Sequence, residues 1–197
     1  MRRFVSGHAF RRAELQPRKE PALAAVSTPL RHADPTNLTA GARTFFVTSS
    51  ICGKRNLLQS DRSAKLFLSV LYHYRAQGRF RLHEFVVMPD HFHVLLSVNG
   101  DMTIERAVQF IKGGFAFRAV RELSFNAPVW QKGFSEVRIR DADTFLRTSE
   151  YVRKNPVKRH LAAEAEQYPY SSAFAGFELD SAPQGLKPLS LSLQRHG

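Results

Sequence analysis

Residues 79–98 read RFRLHEFVVMPDHFHVLLSV and predict a β-hairpin. The segments 79–88 and 91–98 are rich in β-branched, aromatic and other apolar residues, which is typical of strands. Pro89 and Asp90, which separate them, are turn-forming residues suited to a tight connection. The hairpin is therefore the part of the sheet from which the rest of the chain can be assigned.

The second strand of this hairpin has two unlike faces, because successive side chains of a strand point to opposite sides of the sheet. One face is uninterrupted and apolar, and we expect it to pack against helices; it consists of Phe92, Val94, Leu96 and Val98. His91 and His93 share the other face, about 7 Å apart along the strand. Two imidazoles at this spacing can ligate one metal ion, but the pattern also occurs where the histidines bind nothing.

Hydrophobic periodicity predicts five further elements around the hairpin. They are strands over 44–51 and 129–140, and helices over 60–78, about 102–123 and 141–155. Ser60 is the predicted N-cap of the first helix, and Pro156 predicts that the last helix stops or bends at Asn155. The order β-α-β-β-α-β is that of the ferredoxin-like α+β fold, an antiparallel sheet with two helices on one face.

Composition predicts one domain that binds a polyanion. The chain has 197 residues, and 29 Lys and Arg against 17 Asp and Glu give a formal net charge of +12. We predict a flexible basic leader over 1–40, a domain over 41–177 and a tail over 178–197. Because most of the excess charge lies in the domain, nucleic acid is the favoured partner.

Membrane insertion and disulfide bonding are not expected. No apolar segment approaches the roughly 20 residues that a membrane-spanning helix needs. The single cysteine, Cys52, excludes an internal disulfide framework and fits a reducing cytoplasm.

A second candidate cluster lies in EYVRKNP, residues 150–156. Tyr151 and Asn155 are four residues apart on a predicted helix and so share one face. An Asn amide oxygen is a ligand for hard cations, and a Tyr hydroxyl is a possible nucleophile. Only about one phenol in a thousand is ionised at pH 7, so a metal ion would have to activate a phosphodiester for attack. The alternative is that Tyr151 is a core residue of the helix and Asn155 its C-terminal cap.

Three sequence blocks together resemble a known family. They are VVMPDHFHVLL (86–96), VWQKGF (129–134) and EYVRKNPVKRHL (150–161) followed by YPYSS (168–172). This order resembles the REP-associated tyrosine transposases and their insertion-sequence relatives, the IS200-like single-tyrosine HUH endonucleases. The resemblance covers about 41–175.

The resemblance implies a metal-dependent endonuclease and strand transferase that acts on single-stranded, hairpin-forming repeat DNA. His91 and His93 would be the two metal ligands of the HUH motif and Asn155 the third, with Mg²⁺ or Mn²⁺ as the metal. Tyr151 would attack the DNA to give a 5′-phosphotyrosine intermediate. The resemblance also implies a tyrosine-bearing helix near the second face of the sheet, a monomer or homodimer, and a cytoplasmic, nucleoid-associated protein.

Two positions depart from the family pattern. Asp90 stands where relatives commonly have Asn, and it either strengthens cation binding or only shapes the turn. After WQKGF many relatives have an Asp or His, for which Glu136 is the nearest substitute in this chain.

Basic residues near the predicted site are the candidates for DNA phosphate contacts. They are Lys112, Arg118, Arg138, Arg140, Arg153, Lys154, Lys158 and Arg159. Gly113 and Gly114 interrupt the second predicted helix, which indicates either a close backbone approach or a weak point. Trp130 is expected in the core. The competing hypothesis for the whole chain is a non-catalytic domain that binds single-stranded nucleic acid and has structural histidines.

Overall fold

The computed structural model describes residues 41–187, and the order of their elements is the predicted one. The strands are β1 (Arg43–Ser50), β2 (Arg81–Met88), β3 (His91–Val98) and β4 (Ser135–Ile139), and the helices are α1 (Asp61–Ala76), α2 (Ile104–Leu123) and α3 (Ala142–Lys158). The sheet order is β2-β3-β1-β4, and each neighbouring pair is antiparallel. The predicted ferredoxin-like α+β fold is confirmed, while the predicted leader over 1–40 lies outside the described residues.

The apolar face of β3 packs against α1 and α2, as its alternation predicts. Phe92 and Val94 are fully buried in one cluster with Leu71 of α1 and Ile111 of α2. Full burial of a side chain of this size stabilises a fold by about 1.5–3 kcal/mol. Both helices begin at polar caps, since the side chains of Ser60 and Thr103 accept hydrogen bonds from the backbone of the first turn.

The third helix, α3, lies against the opposite face of the sheet, the one that carries the histidines. Val152 of α3 packs with Val86 and Met88 of β2, and Phe145 packs with Leu95 of β3. The side chain of Asp141 caps this helix by accepting a hydrogen bond from the Thr144 N–H at 2.7 Å. The fold therefore brings the tyrosine-bearing helix to the histidine face, as the resemblance implies. None of the helices between 41 and 187 is long and apolar enough to cross a membrane.

The fourth strand begins later than predicted. We expected it over 129–140, but β4 starts at Ser135, and Trp130 forms only an isolated bridge with Ile51. The reason is tertiary packing, because the Trp130 ring enters the core beside Phe92 and its Nε1–H donates to the Lys112 carbonyl at 2.8 Å. Trp130 is partly buried and packs against the core, as predicted.

Pro156 predicted that the last helix stops or bends at Asn155, and the structure shows that it does not stop there. It continues to Lys158 with Pro156 in its final turns. A proline removes its own N–H but leaves the other hydrogen bonds of the turn available. The Asn155 carbonyl still accepts from the Arg159 N–H at 3.1 Å.

The C-terminal segment keeps contact with the domain beyond the predicted boundary at 177. The carboxylate of Asp180 accepts hydrogen bonds from the Arg75 guanidinium at 2.9 Å and from the Leu82 N–H at 2.7 Å. Lys187 forms a parallel bridge with Asp141, at the start of α3. Residues 178–187 thus differ from the loose tail that we expected.

Gly114 and Gly113 are predicted to respond in opposite directions to substitution by alanine. A Cβ at Gly114 would lie 2.7 Å from Tyr74 Cε2 and 3.0 Å from Val70 Cγ1 of α1, whereas a Cβ at Gly113 would meet nothing within 4 Å. We expect Gly114→Ala to destabilise the protein by about 1–3 kcal/mol through overpacking. Gly113→Ala should stabilise it by up to about 1 kcal/mol through helix propensity. Urea denaturation of both variants measures the difference, and stabilisation in both would contradict a close approach at Gly114.

Candidate active site

The centre of the site is the pair of histidines on β3. Both are buried, with 6% of His91 and 5% of His93 exposed, and their Nε2 atoms are 3.2 Å apart. The Nδ1 atoms of both rings have partners. His91 Nδ1–H donates to the Asp90 carboxylate at 2.6 Å, and His93 Nδ1 lies 2.7 Å from Thr48 Oγ1. Because each ring is fixed through Nδ1, both Nε2 atoms point at one location.

Burial favours the neutral form of both imidazoles. Burial lowers the pKa of His93 to about 3, with a smaller effect from the neighbouring His91. Burial also lowers the pKa of His91, although the Asp90 carboxylate opposes this shift. Neutral imidazole is the form that binds metal ions, so the pair is ready to act as two ligands.

Tyr151 lies beside the histidines of its own chain. Its ring meets that of His93 edge-on at a centroid distance of 5.6 Å. Phe46 supports both rings, because it stacks on His93 at 5.3 Å and meets Tyr151 edge-on at 5.8 Å. The Lys158 ammonium lies 5.5 Å from the centre of the Tyr151 ring. Tyr151 is thus half-buried, packs against the cluster of Val86, Met88 and Val152, and is a neighbour of the histidine pair.

Asn155 follows Tyr151 by one turn and has a buried oxygen that lacks a partner. Only 5% of the residue is exposed, and no group between 41 and 187 donates a hydrogen bond to its Oδ1. An unsatisfied buried acceptor costs about 1–3 kcal/mol, so this atom requires an explanation. The helix is capped by Arg159, and the proposed C-cap role for the Asn155 side chain is therefore wrong.

The residues present fit a divalent cation. Two neutral imidazole nitrogens and one unpartnered amide oxygen form a mixed donor set on one face of the sheet and on the helix that covers it. Within residues 41–187, no group of three or more His, Cys, Asp or Glu side chains could hold a metal ion. Asn155, one turn after Tyr151 on α3, stays the predicted third ligand.

The two departures from the family pattern have different surroundings. Asp90 contacts His91 directly, and its pKa is lowered because the hydrogen bond from His91 and the charge of Lys54 outweigh burial. A carboxylate behind a ligating imidazole raises its basicity and fixes its orientation. Glu136 pairs with Val47, whose side chain belongs to the core under α1 and α2. Glu136 therefore lies on the face of the sheet that α1 and α2 cover, opposite the face that carries the histidines.

Two further histidines, His83 and His73, lie outside the cluster. His83 is buried on β2, where its Nε2 lies 2.7 Å from Ser97 Oγ and its Nδ1 lies 3.2 Å from the Asp180 carbonyl. Both nitrogens are thus used within the fold. His73 is exposed on α1 and contacts Gln77.

Four of the basic candidates lie on or directly after α3, on the histidine side. Arg159 is close enough to contribute to the lowered pKa of both His91 and His93. Lys158 lies over the Tyr151 ring. Arg153 forms a 3.5 Å ion pair with the buried Glu84, and Lys154 forms one of 2.6 Å with Glu150.

The other basic candidates lie away from the histidine pair. The Lys112 ammonium donates to the carbonyls of Gln131 and Gly133, and burial lowers its pKa to about 8. Arg118 of α2 pairs with Glu122 at 2.7 Å. Arg138 faces Phe45 across β1 and β4, on the helix side of the sheet, and Arg140 is exposed just after β4. Their role in DNA binding stays a prediction.

Sequence reasoning missed three neighbours of the histidines: Thr48, Phe46 and Lys54. Thr48 and Phe46 alternate along β1 on the face that carries His93, and Thr48 is paired with His93 in the sheet register. Alternation within 44–51 carries this signal, but it needs the β1–β3 register to be read. Lys54 comes from a short 3₁₀ turn, for which the sequence offers no clear pattern.

Comparison with known proteins assigns the family. A family model described as "Transposase IS200 like" matches residues 47–155, more than half of the chain. The chain belongs to the IS200-like transposase family. The matched segment begins in β1 and ends at Asn155, so it contains both histidines and Tyr151 of this transposase.

A solved structure shows the same fold at low sequence identity. A REP-associated tyrosine transposase bound to a REP hairpin is 20% identical, with a TM-score of 0.61 over 78% of this IS200-like chain and 96% of the other. A putative transposase from Deinococcus radiodurans R1 is 17% identical, with a TM-score of 0.45 over 62% of this chain and 95% of the other. No curated protein matches the chain.

Proposed function

We propose that this transposase is a metal-dependent endonuclease and strand transferase for single-stranded, hairpin-forming repeat DNA. The observation that carries the proposal is the position of Tyr151, whose ring contacts His93 while the Nε2 atoms of His91 and His93 converge at 3.2 Å. A nucleophile thus lies beside a candidate cation site. Transfer of a phosphodiester needs a nucleophile and, at the same place, a group that makes the phosphorus more electrophilic.

The proposed reaction exchanges one phosphodiester for another. The Tyr151 hydroxyl oxygen forms a bond to phosphorus, the bond from phosphorus to the 3′ oxygen breaks, and the phenol proton ends on the released 3′-OH. The product is a 5′-phosphotyrosine. A 3′-OH that later attacks this phosphorus rejoins DNA and returns the proton to tyrosine, so no external energy source is needed.

A divalent cation, Mg²⁺ or Mn²⁺, is the proposed cofactor. His91, His93 and Asn155 would hold it, and when bound it would polarise the phosphoryl group for attack. The protein contributes fixed ligands, because Asp90 and Thr48 orient the imidazoles and α3 holds Asn155. This role would also satisfy the unpartnered Oδ1 of Asn155.

The basic residues at the end of α3 are the proposed contacts to the DNA backbone. Lys158 and Arg159 are exposed and lie next to the nucleophile and the histidines. Positive charge at this point attracts the phosphate to be cut and holds the adjacent strand. Hairpin DNA is the proposed substrate because the related REP-associated transposase was solved with a REP hairpin.

The site is proposed to work within one chain. Tyr151 and His93 belong to the same chain and are in ring contact, so no second copy is required to complete the cluster. A monomer is therefore sufficient for cleavage, whether or not a homodimer forms on DNA.

The decisive assay follows the label on each side of the cut. Single-stranded hairpin DNA labelled at its 5′ or its 3′ end is incubated with the protein and Mn²⁺, then resolved on a denaturing gel. We expect a covalent adduct that carries only the 3′ label, together with a free upstream fragment that ends in 3′-OH. EDTA should prevent both products.

The competing hypothesis makes a different prediction for the same gel. A non-catalytic nucleic-acid-binding domain would shift the hairpin on a native gel and give no adduct with any metal or hairpin. An adduct that carries the 5′ label would instead exclude a 5′-phosphotyrosine.

A further inference from the structure

We propose that Thr48 is a positioning residue that lets His93 change its tautomer between the metal-free and the metal-loaded protein, while Asp90 holds His91 in a single tautomer. The metal-loaded half of this inference rests on the proposed function. The metal-free half depends only on hydrogen-bonding chemistry around the two rings.

Asp90 permits one tautomer of His91. An ionised carboxylate accepts hydrogen bonds and cannot donate them. Its Oδ1 lies 2.6 Å from His91 Nδ1, so that nitrogen carries the proton. A neutral imidazole has a single N–H, so the Nε2 atom of the buried His91 carries a lone pair and no proton.

The 3.2 Å separation of the two Nε2 atoms then constrains His93. Two lone pairs that face each other at this distance repel unless a proton or a cation lies between them. When no cation is bound, His93 must donate its Nε2–H to His91. His93 Nδ1 then has no proton, and the Thr48 hydroxyl donates to it across 2.7 Å.

Metal binding requires the opposite arrangement at His93. With both Nε2 atoms as ligands, the single proton of His93 would lie on Nδ1. Thr48 Oγ1 accepts the hydrogen bond from Nδ1–H, and its own proton rotates away. The number of protons in the cluster is unchanged, and only a group that both donates and accepts can support both states. Threonine meets this requirement, whereas a carboxylate at position 48 would not.

Long-range ¹H–¹⁵N correlation spectra of ¹⁵N-labelled protein test the inference directly. Signals of the two rings are assigned with His91→Gln and His93→Gln. In EDTA we expect His91 as the Nδ1–H tautomer and His93 as the Nε2–H tautomer. Addition of Zn²⁺, a diamagnetic probe that imidazole binds well, should convert His93 to Nδ1–H and leave His91 unchanged.

The variants separate positioning from general stability. Thr48→Val should weaken Zn²⁺ binding by about 10–100-fold, the usual effect of losing a partner of a ligating histidine, and Thr48→Ser should restore it. Thr44→Val is the matched control, because Thr44 lies on the same strand and face but bonds Ser97 instead. Its Zn²⁺ affinity should equal that of the wild type.

Two outcomes would overturn the inference. One is an Nδ1–H tautomer of His93 in EDTA, and the other is an unchanged His93 tautomer after Zn²⁺ is added. Failure of DNA cleavage would count against the proposed function but would leave the EDTA spectrum as an independent test.

Discussion

Tyr151→Phe is expected to abolish the covalent adduct and to lower strand cleavage by about 10³-fold or more, as the loss of a nucleophile generally does. Phenylalanine lacks the oxygen that forms the bond to phosphorus, so no adduct can form at this position. The substitution keeps the ring that meets His93 and Phe46 edge-on. Folding and hairpin affinity should therefore stay close to the wild type in thermal melting and native gel assays.

Tyr170→Phe is the matched control for this experiment. Tyr170 also carries a hydroxyl near the surface, but that hydroxyl bonds Asp61 at the start of α1, away from the histidines. The control should form adduct at the wild-type level. If Tyr151→Phe still formed adduct, or if Tyr170→Phe lost it, another residue would be the nucleophile.

Sequence alone was sufficient for the histidine face because a strand alternates with period two. Once 91–98 is a strand, Phe92 and Val94 on one side force His91 and His93 to the other. The structure follows this alternation, since the apolar side is buried under α1 and α2. The resemblance added the tyrosine helix, which periodicity could predict as a helix but could not place against a particular face.

Tertiary contacts explain what the sequence did not predict. The start of β4 depends on the burial of Trp130, and the end of α3 depends on hydrogen bonds that survive around Pro156. The partner of His93, Thr48, is 45 positions distant and becomes visible only through the register of β1 with β3. The secondary-structure propensity of a segment does not predict contacts between distant residues, because these depend on which strands are neighbours in the sheet.

The sequence also does not predict whether Tyr151 lies beside the histidines of its own chain or, after exchange of α3, beside those of a second copy. The path of α3 depends on Val152 packing against Val86 and Met88, and on the ion pair between Arg153 and Glu84. These contacts lie within a single chain and set Tyr151 next to His93. Knowledge of the helix alone would not distinguish this arrangement from a swapped one.

His93→Ala is expected to lower metal-dependent cleavage by at least about 100-fold, because even partners of ligating histidines contribute 10–100-fold. The variant removes one of the two converging Nε2 atoms and a ring that contacts both Phe46 and Tyr151. Calorimetric titration with Mn²⁺ should show a matching loss of affinity. If the alanine variant melts early, His93→Gln supplies a larger polar side chain and tests the same loss of a ligand.

His83→Ala is the control that distinguishes the loss of a metal ligand from the loss of a buried structural histidine. His83 is buried to a similar extent, at 3% exposed, but its nitrogens contact Ser97 and the Asp180 carbonyl. This variant should lose about 1–3 kcal/mol of stability, because it leaves buried groups without partners. Its cleavage rate per folded molecule should remain near the wild type. Equal losses of cleavage in the His83 and His93 variants would mean that the histidines on β3 are structural.

A mixture of the His93→Ala and Tyr151→Phe proteins tests whether one chain holds the whole site. Each variant lacks one half of the cluster, and a swapped dimer would restore a complete site in which each chain supplies the missing half of the other. Because Tyr151 contacts His93 within its own chain, we expect the mixture to form no more adduct than the two proteins do separately. Recovery of a substantial fraction of wild-type adduct would show instead that α3 is exchanged between copies on DNA, and that the contacts of Val152 and Arg153 are broken and remade in the active form.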